Sequence, residues 1–169
     1  LSSAAGAYAL ERAKNHGVPG FAVPRKGCTQ EEFEAGLTEK LTAYQADMII
    51  LAGFLSILSE NFVKRWPNRI LNVHPSLIPA FCGKGYYGLK VHEEALRRGV
   101  KVTGATVHYV NEIPDGGEIL LQKAVEVLPG DTPELLQRRV MEQAEWVLLP
   151  QAAELTAQRL HQSKKGYAL

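Results

Sequence analysis

The apolar run MIILAGF, residues 48–54, sets the tightest limit on the fold. It has no polar side chain to turn toward water, which is the pattern of a strand covered on both faces in a parallel sheet flanked by helices. The segment before it is helical. Thr29 and Glu32 have capping-box spacing, and Phe33, Leu37, Leu41 and Tyr44 then recur on one helical stripe. The alternation continues along the chain. Residues 6–16 place Ala7, Leu10 and Ala13 at helical spacing, Gly17 ends that helix, and VPGFAV follows as a short strand. Ser59 caps a short helix through Trp66, RILNVH is the next strand, and residues 89–98 are helical up to Gly99. KVTGATVHYV and EILLQKAVEV are strands joined by the turn residues of NEIPDGG. Thr132 caps a last helix with Pro133 at its first position, and Pro150 is expected to end or kink it before a further helical stretch to about Leu160. No repeat, linker or low-complexity segment interrupts this order, so the expectation is one α/β domain.

Length and composition narrow the function. A chain of 169 residues, 46% hydrophobic, can bury a proper core. Its net charge of +1, with acids and bases intermixed, provides no basic face for a row of phosphates, so a nucleic-acid partner is not expected. There is no apolar run of about 18 residues and no basic-then-apolar leader, so the reading is a cytoplasmic protein with no membrane partner. Cys28 and Cys82 share no metal-ligand spacing and read as inert thiols. His74, His92 and His108 match no compact ligand pattern either, so no metal is expected. The sequence opens on Leu1 without an initiating Met, like the tail of a strand, which suggests a fragment.

One stretch does not fit a purely structural account. In LNVHPSLIP, residues 71–79, Leu71 and Val73 share one face of a strand while Asn72 and His74 share the other, just before Pro75 turns the chain. Polar pairs at the C-terminal end of a parallel strand lie where open α/β sheets bind ligands. Gly53 ends the neighbouring apolar run at the same edge, where a ligand can approach the backbone. Asp115 enters from a third direction, in the Gly-rich turn after TVHYV. A carboxylate there can hold an imidazole in one tautomer and favour its protonated form. An amide, an imidazole and a carboxylate suit acyl transfer: Asn72 for the oxyanion, His74 as proton donor, Asp115 as its partner. Each residue taken singly also has an ordinary structural reading, and His108, inside an alternating strand, is equally at home as a wall or core residue.

Taken together, LNVHPSLIP and GATVHYVNEIPDGGEILLQ, residues 104–122, resemble the 10-formyltetrahydrofolate-dependent formyltransferases, most closely the branch acting in purine biosynthesis. The similarity extends from GAYALERAKNHG to MEQAEWVLLP. It implies a Rossmann-like three-layer fold, a mostly parallel twisted sheet with helices on both faces, as a single domain over residues 1–169. It implies transfer of a formyl group from 10-formyltetrahydrofolate to the amine of glycinamide ribonucleotide, by a monomer or homodimer, with no metal. Asn72, His74 and Asp115 match the catalytic set. Ser56, Ile57 and Leu58, with Asn111, Glu112, Ile113 and Asp115, match the folate site. Gly53, Pro75 and Glu145 match positions near the glycinamide substrate, and His108 stands behind the catalytic set. The alternatives are a formyltetrahydrofolate deformylase, whose relatives usually have His where this chain has Pro75, and a folate-binding module without turnover. Methionyl-tRNA formyltransferase carries a C-terminal domain for which no residues remain here.

Two departures stand out. The family's N-terminal strand and the Gly/Ser/Asn-rich loop that holds the substrate phosphate are absent from the sequence. AFCGKGYYGLK, residues 80–90, is longer than in the shortest members, with Lys90 where some have His. Its glycine content marks a loop beside the site.

Overall fold

A computed structural model describes residues 1–164. The chain divides into two compact units, Leu1–Ala46 and the residues from Asp47 onward.

In the first unit, helix α1 (Tyr8–Asn15) and helix α2 (Gln30–Ala43) flank an extended segment. The Thr29 capping box forms as its spacing predicts: the Thr29 hydroxyl accepts from the Glu32 N–H, and the Glu32 carboxylate accepts from the Thr29 N–H. Phe33 and Leu37 are buried, while Tyr44 at the helix end stays exposed and meets the Phe21 ring at 4.9 Å between centroids. The strand expected at VPGFAV reduces to a single parallel bridge between Ser2 and Ala22. Pro19-Gly20 and Pro24 bracket too short an apolar stretch to sustain a ladder.

The second unit holds a four-stranded sheet in the order β1 (Ile49–Leu51), β2 (Ile70–His74), β3 (Val102–Tyr109), β4 (Ile119–Glu126). The α/β class holds, but pairing within this sheet is mixed rather than mostly parallel: β1 and β2 are parallel, while β2–β3 and β3–β4 are antiparallel. For β3–β4 the reason is visible in the connection NEIPDGG. A parallel return needs a crossover of a dozen or more residues, and this turn is too short for one. MIILAGF contributes only a three-residue strand at the edge of this sheet, and Ile50 is exposed.

Helices α3 (Glu60–Val63), α4 (Leu89–Arg97), α5 (Pro133–Val140) and α6 (Trp146–Lys164) complete the unit. The core lies on one sheet face. Leu71, Ala105, Val107, Tyr109 and Val125 of the strands pack with Ala95 of α4, Leu136 and Val140 of α5, and Leu148 and Ala152 of α6. Pro150 neither ends nor visibly interrupts α6. Instead the helix widens into one π turn, Met141–Glu145, immediately upstream, a local adjustment of the backbone ladder that often accompanies functional sites. Among the described residues, no helix is long and apolar enough to cross a membrane.

Because Leu71 pairs with Tyr109 and Val73 with Val107 on the core face, Asn72 opposite His108 and His74 opposite Thr106 fall on the other. That face carries the polar cluster.

Candidate active site

Asn72 and His74 point the way alternation along β2 requires, and the antiparallel register sets His108 directly across from Asn72. The Asn72 Nδ2 lies 3.2 Å from His108 Nε2. His108 is 1% exposed, and its Nδ1 lies 2.9 Å from the Tyr109 carbonyl, an acceptor that fixes the proton on Nδ1. Nε2 of the neutral ring is then free to accept from the Asn72 amide. A bulge accompanies this residue: Val107 pairs with Leu121 but His108 with Ile119, so Leu120 of β4 has no partner across the ladder.

Asp115 sits between the two imidazoles. Its Oδ1 is 3.5 Å from His108 Nε2 and its Oδ2 is 3.6 Å from His74 Nδ1. Oδ2 also accepts the Gly83 N–H at 2.8 Å. Asp115 reaches this point through a left-handed backbone conformation, φ 55°, inside a turn closed by the Asn111 side chain, which accepts from the Ile113 N–H and donates to the Gly116 carbonyl. Gly117 follows where a Cβ would overlap the Tyr109 carbonyl oxygen, so the turn can return to β4 only through glycine. Burial pushes the Asp115 carboxyl up, but His108 beside it, the Gly83 N–H and the nearby His74 each favour the carboxylate and together outweigh it, and the group ends below the usual aspartate value.

His74 is 5% exposed, and its Nε2 meets the Phe81 carbonyl at 2.8 Å. A carbonyl only accepts, so Nε2 carries a proton and Nδ1 is the nitrogen left facing Asp115, too far for a direct hydrogen bond. Thr106 holds the intervening loop. It donates to the Ser76 carbonyl at 2.7 Å and accepts from the Ile78 N–H at 3.1 Å.

These groups open onto one cavity of about 690 Å³. Every residue named from the sequence as a candidate site residue lines it. Asn72, His74, Pro75, His108 and Asp115 form one part of the wall. Ser56, Ile57 and Leu58, together with Asn111, Glu112 and Ile113, form the two loops beside it. Gly53, with φ 64° and open space where a Cβ would project, and Glu145 in the π turn complete it. Desolvation raises the Glu145 carboxyl above the usual glutamate value. His108, expected behind the catalytic set, is in contact with Asn72 and lines the cavity itself.

Some cavity residues escape the sequence reading. Gln137 and Met141 join Glu145 at a spacing of four along the helix, a signal visible only once the cavity-facing side of that helix is known. The glycine-rich stretch Gly83–Gly88, which its glycine content places beside the site, lines the cavity as well, although no periodicity marks which of its side chains face inward. His92 lies fully buried in α4, and neither ring nitrogen has a hydrogen-bond partner. Burial, and then the nearby His74, lower its pKa to about 4. Among the described residues, no cluster of three or more His, Cys, Asp or Glu is placed to hold a metal ion.

The family model for formyl transferase matches residues 1–152, running through both compact units. The chain belongs to the formyl transferase family. It is 37% identical over 164 residues to phosphoribosylglycinamide formyltransferase, chloroplastic, of Arabidopsis thaliana, covering 94% of this chain and 55% of that protein. It is 42% identical over 158 residues to the trifunctional purine biosynthetic protein adenosine-3 of Gallus gallus, covering 93% of this chain and 15% of that one. The crystal structure of glycinamide ribonucleotide transformylase 1 from Symbiobacterium toebii superimposes with a TM-score of 0.82 at 43% identity, over 89% of this chain and 69% of that one. This formyl transferase therefore has the α/β Rossmann-like fold of those structures, and it spans about half or less of the two curated relatives.

Proposed function

We propose that this formyl transferase moves the formyl group of 10-formyltetrahydrofolate to the amine of glycinamide ribonucleotide, in purine biosynthesis, and that residues 1–169 act as one formyltransferase domain in the cytoplasm. The observation that carries the reading is the meeting of Asn72, His74, His108 and Asp115 on one wall of one cavity.

The amine attacks the formyl carbon, a C–N bond forms, and the carbonyl electrons move to oxygen. His108 holds one N–H of the Asn72 amide, leaving the other for that oxyanion. With Nε2 committed to the Phe81 carbonyl, the proton His74 can give is the one on Nδ1 of its doubly protonated ring, beside Asp115. When the intermediate collapses, the bond to the folate nitrogen breaks and that nitrogen takes a proton. The amine loses one, and Asp115 is placed to pass it to His74. Protons therefore balance without any other reagent. Glu145, a carboxylate short of solvation, gains from a cationic or hydrogen-bonding amine beside it. The exposed apolar side chains of Leu55, Ile57 and Ile113 give a flat cosubstrate ring surface to cover.

The experiment is to incubate the protein with 10-formyltetrahydrofolate, with and without glycinamide ribonucleotide, and to follow release of tetrahydrofolate. Release only with the amine present is expected. Release without it points to hydrolysis, and no release in either case to a binding module.

A further inference from the structure

The cavity wall is acidic. Glu112, Asp115 and Glu145 all line it, and Lys84 is the only lysine or arginine among the described residues that does. Among those residues Lys84 has no hydrogen bond, ion pair or ring contact. Lys90, at the start of α4, differs: that ammonium lies 4.9 Å from the centre of the Tyr87 ring.

The backbone at Lys84 is held in place. Phe81 bonds His74 through its carbonyl, and Gly83 bonds Asp115 through its N–H, so Lys84 follows directly on a residue tied to the site carboxylate. Gly83 and Gly85 on either side have φ of 83° and 94°, conformations that suit glycine and put Lys84 at the crest of a tight reversal. The substrates of the proposed reaction bring anionic groups to this cavity: the phosphate monoester of the ribonucleotide and the glutamyl carboxylates of the folate. Three carboxylates in the wall oppose both, and one ammonium on the rim offsets that repulsion.

Resting on the formyl-transfer reading, we propose that Lys84 binds an anionic oxygen group of a substrate, phosphate or carboxylate, and sets affinity for it rather than the rate of the chemical step.

The test is calorimetric binding of glycinamide ribonucleotide and of tetrahydrofolate to the intact protein, for wild type, K84A and K84R, at low and high salt, with turnover measured in parallel. We expect K84A to weaken one ligand roughly three- to tenfold with kcat nearly unchanged. K84R, which keeps the charge, should stay within about twofold of wild type. The wild-type affinity should fall with salt more steeply than that of K84A. A loss confined to the ribonucleotide assigns the phosphate, and a loss confined to the folate assigns the carboxylates. Equal affinities of wild type and K84A for both ligands, or equal losses in K84A and K84R, overturn the proposal. Failure of the underlying reading looks different: a wild type that binds both ligands but transfers no formyl group refutes the reaction, whereas the K84A comparison still decides the role of Lys84. A wild type that binds neither ends both.

Discussion

Asn72→Ala removes the amide opposite His108 while leaving the apolar face of β2 untouched. An oxyanion donor acts mainly in the transition state, so kcat should fall about 10²-fold or more while tetrahydrofolate binding changes little. Steady-state rates alongside an equilibrium titration separate the two. Asp115→Asn should keep the fold, because asparagine adopts the left-handed conformation at φ 55° readily. Turnover should nevertheless drop about 10²-fold through loss of the charge between two imidazoles; an unchanged melting curve with unchanged rate would contradict this role. The Asp115 carboxyl is lowered, so its stabilising effect is present above the ordinary aspartate value and is lost as pH falls through its lower folded value. These residues were legible for a definite reason: alternation along a strand fixes the side of Asn72, His74 and His108, and Asp-Gly-Gly marks a turn able to carry a carboxylate back. Lys84 had no such pattern around it.

Helix α4 carries a group that periodicity alone could not flag. His92 occupies a core position of the amphipathic stripe, yet it is an imidazole with no partner for either nitrogen. Its folded pKa is about 4 against 6.5 for the ordinary side chain, so the unfolded chain binds the proton more readily. Stability contributed by the neutral ring is whole above pH 6.5 and is lost as pH falls toward 4, by about 3 kcal/mol in all. Urea denaturation from pH 7.5 to 4 should show this loss in the wild type and a flatter profile in His92→Leu. The π turn at Met141–Glu145 lay beyond the sequence for a different reason. Pro150 announces that the ladder must lose a bond, but not whether the helix stops, bends or widens upstream.

Across the whole molecule, the formyl transferase places core and site on opposite faces of one sheet, so the two should separate under mutation. Leu136→Ala opens a void against β3 and should cost 2–5 kcal/mol, by the usual scale for buried leucines. Its kcat below the new melting temperature should stay near that of the wild type; a collapse of kcat in fully folded protein would mean that core and site are coupled. The fold class was readable because helical stripes alternate with apolar runs. Mixed pairing was less so, since an apolar run does not state the direction of its neighbours; only the short NEIPDGG turn does.

The unpaired Leu120 makes the length of β4 matter as much as its composition. Removing that single residue would keep Val107 opposite Leu121, His108 opposite Ile119 and the Tyr109 N–H on the Glu118 carbonyl, but it would straighten the ladder and take away the bend that aims the turn. The turn would be dragged along, withdrawing its carboxylate from both rings. A library that changes spacing at residues 118–121 should therefore yield well-folded, inactive proteins, whereas one that only swaps side chains there should retain many active clones.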